Sequence, residues 1–464
     1  MRSLDTQISE FQGIVGNSGI LQGDDVSNRS ERIWTDETVQ ARAIIRPRST
    51  QQLSDVLRLC YERDQPVVIH GGLTGLVDGA RTTNTDIVVS TELMNEIEFI
   101  DPIARTMTVQ AGVKLQQIHE AAESEGLLFP LDLGARGSCS IGGNIATNAG
   151  GNRVIRYGMT RDMVLGLEAV LADGTIMSSM NDMIKNNAGY DLKHLFVGTE
   201  GSLGVVTRAV LRLRELPLTD EAVFMSVDEF DNLPKILKRM DQRLGGTLTS
   251  FEVMWNDYYS LICDDGTEHT PPVSINHPYY VLLEAWGGDS KLDHARMEAA
   301  VESVYQEHLI SEAAIAQSST QRNAFWAIRD DVEKCMTIKP TFVFDVSLRI
   351  GDMEAYVVEV NRRLTERFGT YRIFTFGHLG DGNLHFAINT GTDPDDQLPV
   401  ERCVYEPLRS INGSISAEHG IGLEKKEFLD ISRNEIEIDL MRTLKKSLDP
   451  KGILNPGKIF EFTV

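Results

Sequence analysis

Residues 134–151 read Gly-Ala-Arg-Gly-Ser-Cys-Ser-Ile-Gly-Gly-Asn-Ile-Ala-Thr-Asn-Ala-Gly-Gly, and this run indicates the architecture of the first half of the chain. It contains six glycines, two asparagines, two serines and one threonine. Glycine lets a backbone approach a ligand closely, and successive amides can form an anion-binding nest to which small hydroxyl groups add donors. The run therefore predicts a loop that binds a phosphate-bearing ligand.

Two further loops of the same kind accompany this run. They are Gly71-Gly-Leu-Thr-Gly75 and Gly198-Thr-Glu-Gly-Ser-Leu-Gly204. A tight turn is an adequate explanation for any one loop, but three of them in one half of the chain predict a large cofactor with a diphosphate. No GxGxxG follows a strand and no GxxxxGK[ST] occurs, so neither a Rossmann site nor a P-loop is supported.

The composition excludes several classes of partner. A chain of 464 residues favours about three domains, and 45 Lys+Arg against 68 Asp+Glu give a net charge of -23. An acidic surface repels phosphate backbones and anionic lipid, so we expect no nucleic-acid or membrane-surface binding. No apolar run approaches the length of a membrane span, and Met1–Asp5 lacks the apolar core of a signal peptide. Five scattered cysteines without a CxxC indicate a reduced, cytoplasmic setting.

Hydrophobic periodicity predicts a change of character near residue 217, where Leu213-Arg-Glu-Leu-Pro217 ends the first region. Before it, helices are predicted at 50–64 and 114–126, and strands at 66–69, 87–88 and 107–111. After it, strands are predicted at 222–227, 279–286 and 341–349, and helices at 229–242, 291–308, 321–335 and 353–368. We expect a first domain over 1–217, a sheet-plus-helix domain over 218–410, and a C-terminal segment over 411–464 with a helix at 434–447.

The second half contains a pattern of metal-ligand residues. His378 and His385 enclose Leu379-Gly-Asp-Gly-Asn-Leu384, and Glu418-His419 follows later. The enclosed glycines, aspartate and asparagine disfavour a helix, and both flanks are β-prone, so we predict a strand, a tight turn and a strand. Two imidazoles and one carboxylate match a catalytic metal that keeps one position open. A turn with surface histidines is the alternative, because ligand-like spacings also arise by chance.

Together these segments resemble the FAD-binding enzymes of the vanillyl-alcohol oxidase/PCMH type, in the branch of the D-lactate and D-2-hydroxyglutarate dehydrogenases. The resemblance covers about residues 35–460. It depends, in order, on Pro66–Leu76, Leu131–Gly151, Arg156–Gly158, Ala172–Gly174, Asn187–Tyr190, Gly198–Thr207, Gly377–His385, Ser416–Gly422 and Asp449–Lys458. It implies an α+β, two-domain PCMH-type fold, whose FAD-binding domain is completed by the C-terminal tail and whose α+β cap combines an antiparallel sheet with helices.

The resemblance also implies roles for individual residues. Non-covalent FAD would be bound by Gly71, Gly72, Thr74, Gly75, Leu131, Gly134, Ser138, Gly142, Asn144, Thr147, Gly151, Gly201, Val206 and Asn455. A divalent zinc or manganese ion would be bound by His378, His385 and Glu418. Arg329 and Asn383 would contact the substrate, and His419 would be the catalytic base.

The chain departs from the family pattern in two places. Where relatives commonly carry a threonine and a lysine that help the arginine, this chain has Glu333 and Val343, which puts a dicarboxylate substrate in doubt. In addition, no histidine follows the glycines of the first loop, because His70 precedes them, and this is why we expect non-covalent flavin.

The reaction implied is the oxidation of a D-2-hydroxy acid to the 2-oxo acid, in which His419 removes the proton and flavin N5 takes the hydride. A quinone or an electron-transfer flavoprotein would accept the electrons, and the enzyme would be a homodimer. The alternatives are a flavin oxidase that uses dioxygen, a non-haem iron oxygenase built on the histidines and Glu418, and a non-catalytic FAD-binding protein.

Overall fold

The computed structural model describes residues 4–264, 266–391 and 393–462, and these form two compact units. The first unit comprises Met1–Gly150, Met159–Leu216 and Glu418–Val464. The second comprises Gly151–Gly158 and Pro217–Ala417. The borders in the chain therefore lie at 216/217 and 417/418, with one short additional excursion at 151–158.

The first unit contains a small mixed sheet and a larger antiparallel sheet. The mixed sheet has the strand order Ile20–Leu21, Ala43–Ile45, Ile87–Ser90, Val67–His70, with the last three strands parallel. The antiparallel sheet has the order Ile97–Asp101, Thr106–Gln110, Val205–Arg212, Val164–Val170, Ile176–Ser179. A further short pair joins Leu127–Leu128 and Arg214–Glu215. The helices are Leu4–Val15, Asp24–Ser27, Thr50–Glu62, Leu115–Ser124, Ile141–Thr147, Leu429–Ser432 and Glu435–Leu448.

The helix Thr50–Glu62 illustrates how sequence determines packing in this unit. Ser49 caps it by accepting a hydrogen bond from the Gln52 amide. The apolar residues at helical spacing are buried as the pattern predicts, and they join the core formed with the parallel strands; they are Leu53, Val56, Leu57 and Cys60.

The second unit is built on one antiparallel sheet. Its described strands have the order Glu312–Ile315, Thr219–Val227, Tyr279–Gly287, Leu248–Trp255, Arg372–His378, Asn383–Asn389, Phe342–Ser347. The helices are Val154–Tyr157, Asn232–Leu244, Asn256–Cys263, Ser290–Gln306, Ser319–Asp330, Met353–Phe368, Gln397–Tyr405 and Leu408–Ile411.

Helices cover both faces of this sheet. Tyr258 and Phe325, from two helices, share an apolar cluster with Phe376 of one sheet face. On the other face the ring of Tyr356 packs against Phe386 at a centroid distance of 5.9 Å. The predicted α+β class is confirmed, with helices packed on an antiparallel sheet.

The predicted helix that differs most from the structure is the one at 321–335. The helix expected at 321–335 begins earlier, at Ser319, because Ser318 caps it by accepting from the Gln321 amide. It ends at Asp330, since Asp331 leaves helical geometry with ψ 48°, and a 3-10 helix follows at Val332–Thr337. The helix predicted at 353–368 has the predicted bounds.

Candidate active site

The two histidines lie on neighbouring strands joined by a tight turn, as the sequence predicted. His378 ends the strand Arg372–His378, and His385 lies in Asn383–Asn389. The connection is a 3-10 turn followed by Gly382, whose φ of 87° suits glycine. Both histidines are buried, and their ring centroids are 5.3 Å apart. Two imidazoles this close can ligate one metal ion.

A buried carboxylate from a third strand binds His378. Glu252 is the cross-strand neighbour of His378, and its two carboxylate oxygens lie 2.9 and 2.8 Å from His378 Nδ1. Glu252 also accepts hydrogen bonds from Arg329 Nε at 2.8 Å and from the Ser250 hydroxyl at 2.7 Å. Burial alone would raise the pKa of Glu252, but the charges of His378 and Arg329 and the hydrogen bonds lower it to about 2. Glu252 is therefore a fully ionised acceptor.

Arg329 retains unused hydrogen-bonding capacity. It is buried in the last turn of the helix Ser319–Asp330, and its guanidinium carbon lies 5.0 Å from the centre of the Phe376 ring. Within the described residues neither Nη group makes a hydrogen bond, and the carboxylate of the adjacent Asp330 lies 3.9 Å from Nη1. A planar donor pair of this kind suits bidentate binding of a carboxylate.

A second buried carboxylate, Asp345, lies directly opposite His385 in the sheet, 3.7 Å from its Nδ1. It accepts hydrogen bonds from Asn383 Nδ2 at 2.8 Å and from the Ala417 amide at 3.0 Å. Asn383 Nδ2 also donates to the carbonyl of Val346 at 2.9 Å. Both partners only accept, which fixes the amide orientation and leaves Asn383 Oδ1 buried without a partner among the described residues.

The two positions that depart from the family pattern occupy different environments. Val343 pairs with Ala387 on the sheet face that carries Asp345 and His385. Glu333 is exposed in the 3-10 helix that follows Arg329. An apolar pair therefore lies next to the histidine and aspartate.

In the first unit, two of the predicted cofactor loops lie against each other. A side chain at Gly72 would clash with the backbone of Ser138 and Cys139, at 2.5 and 2.6 Å. A side chain at Gly71 would lie 2.7 Å from the hydroxyl of Ser140, and one at Gly142 would lie 2.7 Å from Ala111. These approaches require glycine, and they bring the backbones of the two predicted cofactor loops close together. Thr74 and Gly75 continue the first loop.

The other predicted cofactor residues lie in several separate segments. Asn144 and Thr147 lie in the short helix Ile141–Thr147, and Leu131 and Val206 are buried. Asn455 bridges segments by accepting from the Ile69 amide at 2.9 Å and donating to the Glu200 carbonyl, while a side chain at Gly201 would lie 2.9 Å from Asn455 Nδ2. Gly134 has open space around it, and Gly151 begins the excursion into the second unit.

The segment that contains Glu418 and His419 is anchored within the first unit. A side chain at Gly150 would collide with the carboxylate of Glu418. The Glu200 carboxylate accepts hydrogen bonds from the amides of Ile421 and Gly422, at 2.7 and 2.9 Å. Burial raises the pKa of Glu200, and these amides oppose the shift. The Leu423 amide donates to the Val77 carbonyl at 3.0 Å.

The predicted site residues are thus divided between the units. His378, His385, Arg329 and Asn383 belong to the second unit, and Glu418 and His419 to the first. Ala417, the last residue of the second unit, is bound by Asp345. The complete ligand set and the assignment of the base remain predictions.

Sequence reasoning did not find Glu252, Asp345 or Glu200. Glu252 and Asp345 are single acids within otherwise β-prone, apolar runs, Phe251-Glu-Val-Met-Trp255 and Phe342-Val-Phe-Asp-Val346. A charge at the centre of such a run signals a buried, paired group, because burying an unpaired charge is costly. Glu200 lies inside a glycine-rich loop, and the sequence pattern assigned a role only to the glycines of that loop.

Comparison with known proteins gives the same architecture. A family described as "FAD linked oxidases, C-terminal domain" matches residues 216–459, and one described as "FAD binding domain" matches residues 41–179. A probable mitochondrial D-2-hydroxyglutarate dehydrogenase of Oryza sativa subsp. japonica is 38% identical over 98% of this chain and 82% of its own. The D-2-hydroxyglutarate dehydrogenase of Xanthomonas citri pv. viticola is 39% identical over 93% of this chain and 92% of its own.

Solved structures resemble this chain at much lower identity. Substrate-bound p-cresol methylhydroxylase has a TM-score of 0.78 at 15% identity, over 98% of this chain and 97% of its own. Alkyldihydroxyacetonephosphate synthase has a TM-score of 0.76 at 15% identity, over 98% of this chain and 85% of its own. These likenesses establish the two-domain PCMH-type fold.

The chain belongs to the FAD-linked oxidases of the PCMH type and is an FAD-dependent oxidoreductase. None of its described helices has the length and apolar character needed to cross a membrane.

Proposed function

We propose that the chain is an FAD- and metal-dependent dehydrogenase that oxidises a D-2-hydroxy acid to the 2-oxo acid. The observation that carries the proposal is the buried cluster in which His378 and Arg329 share the carboxylate of Glu252, with His385 beside them. Glu252 thus holds a predicted metal ligand, His378, close to a predicted carboxylate-binding residue, Arg329. This arrangement suits a substrate that has a hydroxyl and a carboxylate on neighbouring carbons. The relatives named D-2-hydroxyglutarate dehydrogenases support the same substrate class.

The chain's own residues would bind and deprotonate the substrate. Arg329 would hold the C1 carboxylate through its two Nη groups. His419 would accept the hydroxyl proton, because a neutral imidazole has an unprotonated ring nitrogen that can take it. Asn383 would accept a hydrogen bond through Oδ1, the atom that its neighbours leave without a partner. Bound FAD supplies the two-electron acceptor, and a bound divalent ion supplies a Lewis acid for the substrate oxygens.

The residues fit both groups. The close approach of the Gly71-Gly72 and Ser138–Gly142 backbones suits the binding of a diphosphate. It supports the proposal that the cofactor residues predicted from the sequence bind FAD. The paired imidazoles, each with a carboxylate on its Nδ1 side, suit zinc or manganese, with Glu418 as the third ligand. In domain terms, residues 1–217 with 411–464 would bind FAD, and residues 218–410 would form the cap.

Two substrates of this class deserve direct comparison. D-2-Hydroxyglutarate is favoured by the names of the relatives. D-Lactate, whose side chain is a methyl group, is favoured by the apolar Val343–Ala387 pair on the sheet face that carries His385. Relatives commonly have a lysine at the position of Val343. The kinetic comparison of these two acids decides between them.

Electrons would leave the reduced flavin for a quinone or an electron-transfer flavoprotein, and we propose a cytoplasmic homodimer. A flavin oxidase of the same fold would instead form hydrogen peroxide in stoichiometric yield with substrate. A non-haem iron oxygenase would be colourless when purified. A non-catalytic FAD-binding protein would be yellow but unchanged by every 2-hydroxy acid.

Anaerobic flavin bleaching tests the proposal. The purified yellow protein is mixed without oxygen with D- and L-lactate and with D- and L-2-hydroxyglutarate, before and after treatment with a chelator. We expect loss of the oxidised flavin absorbance with a D-acid only, and restoration of this activity when zinc or manganese is returned. Bleaching that is unaffected by thorough metal removal would contradict metal dependence, and no bleaching at all would contradict the dehydrogenase.

The variant His419→Ala tests the base. It removes the proton acceptor but no predicted FAD contact, so we expect full flavin content and a turnover about 10²–10⁴-fold lower. His294→Ala is a control on another part-buried histidine, which pairs with Glu221 in the second unit. Near-wild-type turnover in the His419 variant would show that another group takes the proton.

A further inference from the structure

Glu252 accepts hydrogen bonds from residues of three different segments. It lies on the strand Leu248–Trp255 and is 1% exposed. Ser250, on the same strand, donates to it, as does Arg329 from the helix Ser319–Asp330. His378, from the neighbouring strand, places Nδ1 within 2.9 Å of both carboxylate oxygens. Three donors thus converge on one carboxylate.

The carboxylate determines which nitrogen of His378 carries the proton. A carboxylate only accepts hydrogen bonds, so it favours the tautomer in which Nδ1 is protonated. The other ring nitrogen, Nε2, then carries no proton, which is the form that a metal ion requires. The same contact fixes the plane of the ring.

The same carboxylate also sets the direction of Arg329. It occupies Nε on one edge of the guanidinium, and the Phe376 ring lies at 5.0 Å from the guanidinium carbon. The group is therefore held at its Nε edge and on one face, and within the described residues its two Nη groups make no hydrogen bond. A carboxylate that binds them would be placed at a fixed distance from His378.

A purely structural role is the simpler alternative. Buried ion pairs contribute little net stability, because desolvation offsets the attraction. Glu284 provides the comparison, since it is an equally buried carboxylate on the next strand. It pairs with Arg153 at 3.0 Å and accepts from Trp326 at 2.9 Å, and neither of these partners is a predicted metal or substrate contact.

We propose that Glu252 is a positioning residue, which prepares His378 for the metal and Arg329 for the substrate carboxylate at the same time. The inference rests on the proposed function, and it adds that metal affinity and substrate affinity depend on one side chain. Glu252 touches neither ligand itself.

The test compares Glu252→Gln with Glu284→Gln in the FAD-loaded enzyme. Glutamine keeps the shape but offers one acceptor oxygen to Arg329 and His378 and places an NH₂ group near them, which favours a bare Nδ1 and a protonated Nε2. Zinc and manganese affinities are measured by calorimetry on metal-stripped protein, and KM and kcat are measured with the acid that bleaches the wild type.

We expect Glu252→Gln to keep its flavin content and visible spectrum while metal affinity falls about 10–100-fold and KM rises. Glu284→Gln should keep both affinities within about twofold, whatever its melting temperature. Metal affinity and KM of Glu252→Gln equal to those of the wild type would overturn the inference. Absence of divalent-metal binding in the wild type would instead overturn the proposed function.

A milder variant keeps the inference testable if Glu252→Gln does not fold. Ser250→Ala removes the hydroxyl that orients the carboxylate oxygen near His378. Loss of one such hydrogen bond predicts a decrease in metal affinity of about 2- to 10-fold. An unchanged affinity in a folded Ser250→Ala protein would also count against the proposal.

Discussion

At the scale of single residues, carboxylates connect segments that are distant in sequence. Glu200 shows this within the first unit, because its carboxylate accepts from the amides of Ile421 and Gly422. Its backbone carbonyl accepts from Asn455, and its own φ is 50°, in the left-handed region that non-glycine residues rarely adopt. A strained residue that binds two amides just beyond His419 indicates that the position of this segment depends on it.

The variant Glu200→Ala should loosen residues 418–425 without unfolding the unit. Loss of two hydrogen bonds to a charged group predicts a local destabilisation of roughly 1–3 kcal/mol. Hydrogen exchange of the Ile421 and Gly422 amides measures it, and we expect faster exchange there together with lower kcat. Glu435→Ala, an exposed acid of the C-terminal helix, is the control. Unchanged protection at 421 and 422 would refute this role.

Local chemistry made some of these residues predictable and others not. The turn between His378 and His385 follows from neighbouring residues, because glycine, aspartate and asparagine disfavour other structures. The partner of His378 could not be found in this way. Glu252 lies 126 positions away in sequence, and only the pairing of two sheet strands brings it into contact.

At the scale of elements, periodicity predicted most of the longer helices and some of the strands, but not the order of the strands in the sheets. The helix Met353–Phe368 and the histidine strands follow from local patterns. The strand Leu248–Trp255 was not predicted, although it lies between Tyr279–Gly287 and Arg372–His378 in the sheet. Its near-continuous burial removes the alternation that identifies a half-exposed strand. Strand order is non-local and therefore had to come from the structure.

One connection within the second unit should be pH-dependent. His277 precedes the strand Tyr279–Gly287; its Nδ1 lies 2.6 Å from Asp228, and its Nε2 lies 3.5 Å from Glu312. Burial alone would lower the pKa of His277, but the hydrogen bonds and charges of the two acids raise it above its usual value. A raised histidine pKa stabilises the fold fully below about pH 6.5, and the effect is lost as pH rises through the raised value.

We therefore expect His277→Gln to lower stability at pH 6 by about 0.2–1 kcal/mol and to have almost no effect at pH 9. Urea unfolding at both pH values measures the difference. In a background that carries Asp228→Asn and Glu312→Gln, the His277 substitution should lose its pH-dependent part. An equal loss at pH 6 and pH 9 would mean that packing, and not charge, holds this connection.

At the scale of the whole molecule, each unit is built from segments that are not adjacent in the sequence. Residues 151–158 follow the glycine-rich run directly but belong to the second unit. Arg153 binds Glu284 at 3.0 Å, and its guanidinium carbon lies 4.6 and 4.8 Å from the ring centres of Trp286 and Trp326. Composition and spacing predicted a border near 217, but they carried no sign of this excursion, because its anchoring side chains come from one distant strand and one helix.

The excursion leads to a last prediction, on the stability of the second unit. Arg153→Ala removes a cation that contacts two indole rings and leaves Glu284 buried without this charge. We expect a loss of about 3–5 kcal/mol, seen as faster hydrogen exchange in the strands Leu248–Trp255 and Tyr279–Gly287. The strand Val205–Arg212 of the first unit should keep its protection. Adding Glu284→Gln should recover part of the loss, because the buried, unpaired carboxylate of Glu284 is the main cost.

Arg105→Ala, which breaks an exposed pair with Glu215, is the matched control. Equal protection in the Arg153 and Arg105 variants would show that the second unit does not depend on its contacts with this segment.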